Sequence, residues 1–410
     1  MQRFTGLIGI VLILGIAFLF SNNKKKINVR LVVSGLLLQV FIAVMVLKVP
    51  PVNRFFQMLG MGMQKLEGFA KEGASFVYSG IGVYDHTGAL VNYGMAPSFV
   101  FAFNITATII LVCVLVAILY HIRVMQFLVS IVAKAMNTVM RVSGAEALSN
   151  VASAFVGQIE AQVMIRAYIP TMTKSELLAS MSGSLACIAG GILIVYANMG
   201  ARADYLIAAS LMAAPGALVI SKIIFPETEE SPTMGKVKLD VKSNYTNIID
   251  AISHGASDGF KIAMNVVAML IGFIALIAMI NWMLGHVYAG LSLDLIFSKL
   301  FYPFAWAMGV PTQDINAAAT LLGQKLSINE FVAFKNLTSH AVNITTPKGL
   351  SIITIAICGF ANFASVGMQI GGIGALAPER REDLAKLGLK ALLAGTLASY
   401  LSATIGGMLF

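Results

Sequence analysis

The chain has 410 residues, of which 58% are hydrophobic and only 11% are charged, and its formal net charge is +9. A soluble globular protein of this size needs far more polar surface, so the composition excludes that class and indicates a polytopic membrane protein. The positive charge does not point to a nucleic-acid partner, because the basic residues lie at the ends of apolar segments, as the positive-inside rule predicts.

Apolar runs near or above about 18 residues, the length that a bilayer-spanning helix needs, recur through the chain. We therefore expect an all-α fold with about eight transmembrane helices. The three cysteines lie inside such runs without metal-ligand spacing, and we interpret them as small core residues rather than disulfide partners. The predicted spans are residues 6–20, 31–49, 99–120, 177–199, 205–225, 260–284, 350–376 and 387–410.

The basic clusters predict the orientation of these spans. The first apolar segment has no basic start and no small-residue cleavage site, so we expect it to remain as a helix. If the lysines at 24–26 are cytoplasmic, the later basic clusters agree only when residues 145–170 enter and leave the membrane on the same side. The sequence thus predicts a re-entrant hairpin at 145–170, with both termini outside. The short termini suggest a bacterial inner membrane.

Residues 52–72 differ from the spans, because apolar side chains recur there at three- and four-residue intervals between polar ones. This pattern predicts an amphipathic helix at the membrane surface or in subunit packing, with a plain connector as the alternative. Residues 78–97, which include His86, resemble a polar outer loop. The apolar positions of the helix are Phe55, Phe56, Leu59, Met63, Leu66 and Phe69.

The chain then divides into two similar halves. Residues 226–250 are predicted to form a cytoplasmic linker, and residues 253–259 to open a long helix at Phe260. Polar hairpins are expected at 145–170 and 311–334, each followed by an apolar helix that glycines interrupt, near 182–191 and 358–365. Such pairs are typical of inverted repeats around a midplane binding site. The predicted divisions are 1–140 and 251–300 for a scaffold domain, and 141–225 and 301–410 for a transport domain.

Polar residues inside this apolar sequence mark the candidate site. A carboxylate at membrane depth costs roughly 2.5 to 3.5 kcal/mol, so Glu160 and Glu330 are functional-site hypotheses by default. Gln158 can donate and accept hydrogen bonds, while Asn362 and Ser365 are three residues apart on one helical face. Together these groups suit a neutral, hydroxyl-rich ligand that carries amide groups.

Three other interpretations of the same residues stay open. They could form a structural network between packed helices, the pocket of a ligand-gated channel or receptor, or the site of an intramembrane enzyme. No nucleophile with its base and no metal-ligand cluster is evident, so the sequence predicts that the chain is not an enzyme. The paired hairpins favour alternating access over a pore.

Seven short motifs resemble those of the concentrative nucleoside transporter family over nearly the whole chain. The order and spacing of these motifs argue against a chance match. They are GQIE at 157–160, YIPTMTKSEL at 168–177, GQKL at 323–326, NEFVA at 329–333, CGFANFAS at 358–365, LAPERR at 376–381 and LSATI at 401–405.

This resemblance implies a homotrimer in which each protomer imports nucleosides of the uridine and adenosine class by an elevator-like movement, coupled to a proton or sodium gradient and without any other cofactor. It also implies a role for each polar residue. The expected nucleobase contacts are Gln158, Ile159, Glu160 and Ile192, and the expected ribose contacts are Glu330, Phe360, Asn362 and Ser365.

The family's architecture further implies a sodium site made by the side chains of Ser153 and Cys187 and the carbonyls of Val156 and Ile188. Typical sodium-coupled members have asparagine in place of Ser153 and serine or threonine in place of Cys187, and a thiol is a soft, weak ligand for sodium. These departures favour proton coupling, with Glu160 or Glu330 as candidate proton carriers. Ile159 replaces a hydroxyl or amide residue, so we expect one nucleobase contact to be missing.

Overall fold

The computed structural model describes residues 2–77, 83–84, 90–91, 101–234 and 245–410. Helices dominate these residues, which confirms the all-α prediction apart from one two-stranded antiparallel pair, β1 (Val83–Tyr84) with β2 (Leu90–Val91). The rest of the predicted outer loop at 78–97, including His86, lies outside the described residues, as does the part of the predicted linker from 235 to 244.

The first five helices precede the first hairpin. The predicted amphipathic helix lies within α3, which begins with two prolines, a residue type that the first helical turn tolerates. Phe55 and Phe69 are exposed on it, while Phe56 and Leu66 are half-buried. The bounds are α1 (Gln2–Leu19), α2 (Val29–Lys48), α3 (Pro50–Val77), α4 (Phe101–His121) and α5 (Val124–Met140).

Helix α5 was not expected from the sequence. It follows α4 after a bend of 75°, where Arg123 adopts a left-handed conformation with φ +66°. The sequence there mixes apolar residues with Lys134, so it does not produce a continuous apolar run. The apolar side chains Phe127 and Ile131 of α5 are exposed.

The first hairpin and its broken helix follow. Ser143 and Glu146 form a capping box at the start of α6, and Thr173 and Glu176 form another at the start of α8. Helices α6 and α7 contact each other on either side of residues 154–159, and residues 187–189 interrupt the helix between α8 and α9. The bounds are α6 (Gly144–Ser153), α7 (Glu160–Met164), α8 (Lys174–Ala186), α9 (Gly190–Asn198) and α10 (Ala203–Ile224).

The second half repeats this order after a long helix, α11. A second hairpin joins α14 to α15, and residues 358–362 interrupt the helix between α16 and α17. The bounds are α11 (Ile248–Val287), α12 (Leu293–Leu300), α13 (Tyr302–Ala307), α14 (Ile315–Ser327), α15 (Glu330–Thr338), α16 (Pro347–Ile357), α17 (Phe363–Leu376) and α18 (Arg381–Met408).

The predicted helix start at Phe260 is wrong. Helix α11 begins at Ile248, so residues 253–259 lie inside it. Their glycines serve packing rather than a turn: a Cβ at Gly255 would lie 2.8 Å from the Cα of Val114, and one at Gly259 would lie 2.7 Å from the Cα of Ile110. Small residues of this kind let two membrane helices approach closely, and here they join α11 to α4.

Helices occur at all eight predicted spans, but fewer are long and apolar enough to cross a bilayer alone. Among the described residues four helical segments satisfy this criterion, or five if the bent pair of α4 and α5 counts as one span. The count of eight, and the re-entrant position of the hairpins, stay predictions. The four segments are Val29–Lys48, Lys174–Asn198, Ala203–Ile224 and Pro378–Met408.

The core lies where the two halves meet. Helix α18 packs against α8, α10 and α16, while α11 packs mainly against α4, which also contacts α3, α5 and α9. A Cβ at Gly395 of α18 would lie 2.8 Å from the Cβ of Leu185 in α8, so close helix contact joins the halves. Helices α1 and α2 also pack on α10 and α18. The predicted division into scaffold and transport domains stays a prediction.

Candidate functional site

The two helix breaks touch each other in the core. The backbone N–H of Phe360, in the second break, donates to the carbonyl of Cys187, in the first, at 3.3 Å. Gly359 makes this approach possible, because its φ of +147° disfavours any side chain and a Cβ there would overlap the carbonyl oxygen of Ala186. Neither break continues its helix, so backbone polar groups are available at this depth.

Glu330 lies beside the point where the two helix breaks cross, and both of its carboxylate oxygens accept hydrogen bonds. The hydroxyl of Tyr196 donates to Oε1 at 3.1 Å, and Nδ2 of Asn362 donates to Oε2 at 2.9 Å. All three side chains are buried, and the Tyr196 ring stacks on Phe334 with 4.2 Å between centroids. We call Glu330, Tyr196 and Asn362 the Glu330 cluster.

Helix capping fixes two members of this cluster. The side-chain oxygen of Asn329 accepts the backbone N–H of Val332 at 2.9 Å and so begins α15 at Glu330. Asn362 begins α17 in the same way, accepting the N–H of Ser365 at 2.8 Å. The structure therefore brings together the predicted residues Glu330, Asn362 and Ser365, with Phe360 half-buried next to them.

The tip of the first hairpin holds Gln158, Ile159 and Glu160. Gly157 has a φ of +146°, and a Cβ there would overlap the Glu160 carboxylate. Glu160 is exposed, and its carboxylate accepts from the backbone N–H groups of Ile159 and Glu160 itself, with no bond to another side chain among the described residues. Ile159 packs on α17, where a Cβ at Gly372 would lie 2.6 Å from its Cδ1.

Gln158 is buried and contacts the second half through Gln369. The Nε2 of Gln369 donates to Oε1 of Gln158 at 3.4 Å and to the backbone oxygen of Met181 at 3.3 Å. A carbonyl can only accept, so the Met181 contact orients the Gln369 amide with its donors toward Gln158. The Nε2 of Gln158 then has only a weak contact, 3.9 Å from the sulfur of Met368. Ile192, the other predicted nucleobase contact, is half-buried in α9.

The candidate cation ligands lie between the hairpin tip and the first break, but protein groups already contact several of them. The Ser153 hydroxyl donates to the Ser149 carbonyl at 2.8 Å, and the Ser210 hydroxyl lies 3.3 Å from the Ile188 carbonyl. The buried Cys187 thiol makes only long contacts, to the carbonyl oxygens of Asn150 and Ser210. Half-buried Val156 lies at the hairpin tip. The oxygen donors suit sodium, whereas the thiol does not.

Comparisons with known proteins agree across the chain. Residues 205–407 and 8–81 match family profiles described as the C-terminus and N-terminus of the Na+ dependent nucleoside transporter, and residues 102–203 match one described as nucleoside recognition. An uncharacterized transporter, YutK of Bacillus subtilis, is 42% identical over 98% of both chains. The nucleoside permease NupC of Helicobacter pylori is 37% identical, over 98% of this chain and 96% of its own. The chain belongs to the concentrative nucleoside transporter family.

A solved member of this family has the same fold. CNTnw in an inward-facing substrate-bound state superimposes with a TM-score of 0.92 at 38% identity, covering 100% of this chain and 98% of its own. Variants of CNTnw have been solved in outward-facing and intermediate states, so alternating access is established for that neighbour. The family consists of membrane transporters, which confirms the prediction that the chain is not an enzyme.

Sequence reasoning missed four polar residues of this nucleoside transporter. Tyr196 and Gln369 lie in apolar helices and are recognisable only through their contacts. Lys325 is fully buried in the second hairpin, where its Nζ donates to the Ala356 carbonyl at 3.1 Å. A lysine inside apolar sequence, next to Glu330 in the same hairpin, was the signal that could have identified it.

The fourth missed residue, Gln162, organises a buried network behind the hairpin tip. Its Nε2 donates to the hydroxyls of Ser149 at 3.0 Å and Ser184 at 2.8 Å, while its Oε1 accepts from Ser180 at 2.7 Å. Ser153 joins through a 2.8 Å contact with Ser184. This network ties α6 and α7 to α8, so it holds the hairpin against the broken helix.

Proposed function

We propose that the protein imports nucleosides together with a coupling cation, by alternating access in which an elevator-like movement carries the transport domain across the membrane. The observation that carries this proposal is the Glu330 cluster, a buried carboxylate aimed by two donors at the crossing of two helix breaks. Family membership supports nucleosides as the substrates. We further propose a homotrimer in a bacterial inner membrane.

The Glu330 cluster is proposed to bind the ribose. Each carboxylate oxygen can accept more than one hydrogen bond, so Glu330 can accept ribose hydroxyls while Tyr196 and Asn362 hold it in place. Asn362 and Ser365 are assigned further contacts to the sugar, and Phe360 is assigned its apolar face. A carboxylate held in advance binds more tightly, because less side-chain freedom is lost on binding.

The first hairpin tip is proposed to bind the nucleobase. Since Gln369 occupies the oxygen of Gln158, the Nε2 group of Gln158 is left to donate to a base acceptor. Glu160 accepts from a base N–H, and Ile159 and Ile192 pack against the ring. Because Ile159 cannot hydrogen-bond, recognition at this position depends on shape, and we expect weak discrimination between bases that differ in one polar group.

We propose that protons drive the transport. Ser153 and Cys187 supply fewer hard oxygen ligands than a sodium site needs, and the Ile188 carbonyl already has a hydrogen-bonded partner. Of the two candidate proton carriers, Glu160 is better suited than Glu330, since Glu330 is held as an acceptor by two donors. If sodium is the co-substrate instead, Ser153 and the carbonyls of Val156 and Ile188 would hold it.

The deciding experiment is uptake of radiolabelled uridine and adenosine into proteoliposomes, driven by an inward proton gradient or an inward sodium gradient alone. Accumulation with protons alone is the expected result. Accumulation with sodium alone would overturn proton coupling but retain the transporter. Uptake that only equilibrates under both gradients would contradict concentrative transport and favour a channel.

A further inference from the structure

An apolar cavity of about 240 Å³ lies among helices α2, α5, α6 and α10, and none of the proposed nucleoside contacts lines it. Its lining is entirely apolar, and Val132 and Val139 are 39% and 47% exposed, so the cavity opens at the protein surface along α5. The lining residues are Leu38, Phe41, Ile42, Val132, Ala135, Met136, Val139, Val151, Ala154, Phe155, Leu211, Ala214 and Pro215.

A second cavity, of about 160 Å³, lies at the ends of the same four helices and is polar. The residues at the start of α2 and α6, and those at or just after the end of α5 and α10, line this cavity. Leu31 and Leu38 of α2 line the polar and the apolar cavity respectively, roughly 10 Å apart along a helix. The lining residues of the polar cavity are Lys26, Asn28, Leu31, Arg141, Val142, Glu146, Lys222, Pro226, Glu227 and Met234.

The roughly 10 Å between the two cavities is less than the roughly 15 Å depth of the hydrocarbon in one leaflet, so a single lipid can reach both. Along α5 the cavities almost meet, because Val139 lines one and Arg141 lines the other. At Gly35, which lies between the two cavities along α2, the helices pack closely: a Cβ there would overlap Val219 and lie 2.8 Å from Met140. We therefore expect a ligand that occupies both cavities to follow the exposed side of the α2–α5 seam, past Val139 and Arg141.

The charges of the polar cavity favour an anion. Lys222 already forms two ion pairs: its Nζ lies 2.8 Å from Oε2 of Glu146 and 3.3 Å from Oε2 of Glu227. Lys26 and Arg141 line the same cavity, and neither has an ion-pair partner within the described residues. Three cations thus face two carboxylates among the described residues, which leaves Lys26 and Arg141 as the cations proposed to bind a phosphate.

We propose that this seam binds an anionic phospholipid, with its phosphate at Lys26 and Arg141 and one acyl chain in the apolar cavity. A free phosphate would use only the polar cavity, and a neutral lipid would use only the apolar one. Basic pockets between membrane helices at the basic face of a protein bind acidic headgroups by this chemistry. The lipid would contact α2 and also α6, the helix that leads to the first hairpin tip.

Native mass spectrometry of the purified full chain tests the proposal. The protein is incubated with equal amounts of phosphatidylglycerol and phosphatidylcholine, and the retained lipids are counted. We expect the protein to retain phosphatidylglycerol in preference, and the double variant Lys26→Gln with Arg141→Gln to lose that preference about tenfold. The matched control, Lys24→Gln with Lys25→Gln, removes the same amount of charge beside Lys26 without changing a residue that lines the cavity, and it should keep the preference.

A third variant tests the apolar cavity. Ala135→Trp places a large side chain at its exposed edge and should reduce the retention of both lipids several-fold without altering the preference between them. Equal losses in the double variant and its control would mean general attraction to basic surface and would overturn the site. Unchanged retention in the double variant would overturn it too. Competition by millimolar inorganic phosphate, with no effect of Ala135→Trp, would assign the polar cavity to a free anion.

Discussion

The two hairpin tips differ in the hydrogen bonding and burial of their carboxylates in the absence of a substrate. In the second, both oxygens of Glu330 have hydrogen-bonded partners, and the side chain is buried. In the first, Glu160 is exposed, and its neighbour Gln158 is held by Gln369 at 3.4 Å. One half of the site is therefore assembled in advance, whereas the other half is open.

This difference fits what the two halves are proposed to bind. The ribose is the part that nucleosides share, so a rigid carboxylate that binds it does not narrow the range of nucleosides accepted. Its rigidity also lowers the entropy that is lost when the side chain is ordered on binding. The base is the part that varies, and a loosely held tip can accept several bases. Under this proposal the same fold element, a hairpin beside a broken helix, binds the invariant sugar rigidly in one half and the variable base adaptably in the other.

Replacing Glu330 with Gln should have the largest effect. The amide keeps the shape but removes the negative charge and replaces one acceptor oxygen with a donor, so a single neutral oxygen is left to accept hydrogen bonds from Tyr196, Asn362 and the ribose. We expect nucleoside uptake in proteoliposomes to fall at least about 100-fold, with an unchanged size-exclusion profile. Uptake at normal affinity would contradict the assignment of Glu330 to the ribose.

Replacing Gly359 with Ala separates the two halves at their crossing. The added Cβ would overlap the Ala186 carbonyl, and the φ of +147° is strained for alanine. We expect a loss of about 2 kcal/mol in stability and a melting temperature about 2 °C lower in detergent. Gly371→Ala is the control, since a Cβ there has nothing within 4 Å. Equal melting of both variants would mean that the crossing adapts easily.

Replacing Tyr196 with Phe tests whether the second tip is assembled in advance. The change removes the 3.1 Å hydrogen bond to Glu330 and keeps the ring stacked on Phe334. A hydrogen bond of this kind contributes about 1 kcal/mol or slightly more, so KM for uridine and adenosine should rise alike by about 5- to 10-fold. A rise for only one of the two nucleosides would place Tyr196 at the base instead.

Replacing Ile159 with Thr should have the smallest effect, and it concerns the open tip. A hydroxyl at this position adds one donor and one acceptor near the base, while the β-branched shape is retained. We expect the ratio of uridine to adenosine uptake to change about threefold, with total transport retained. Ile192→Val serves as an apolar control. An unchanged ratio would show that residue 159 does not contact the base.

Local patterns were enough to locate the elements that carry the site. A carboxylate or amide inside apolar sequence is expensive, so Gln158, Glu160 and Glu330 identified the hairpin tips, and the residues after 358 identified the second break. The same reasoning failed where a residue type has two uses. Gly255 and Gly259 suggested a helix start, but they allow α4 to approach α11, and only the packing distinguishes these cases.

The sequence by itself determined the fold class, the family and most of the residues of the proposed site. These depend on hydropathy, on glycine and asparagine at helix ends, and on motifs a few residues long. Only the tertiary structure decided that Tyr196 donates to Glu330 and that Gln369 orients Gln158. Their partners are far away in the chain, and a tyrosine or glutamine in an apolar helix has no local signature. Which polar group it satisfies is fixed by the helix that packs against it.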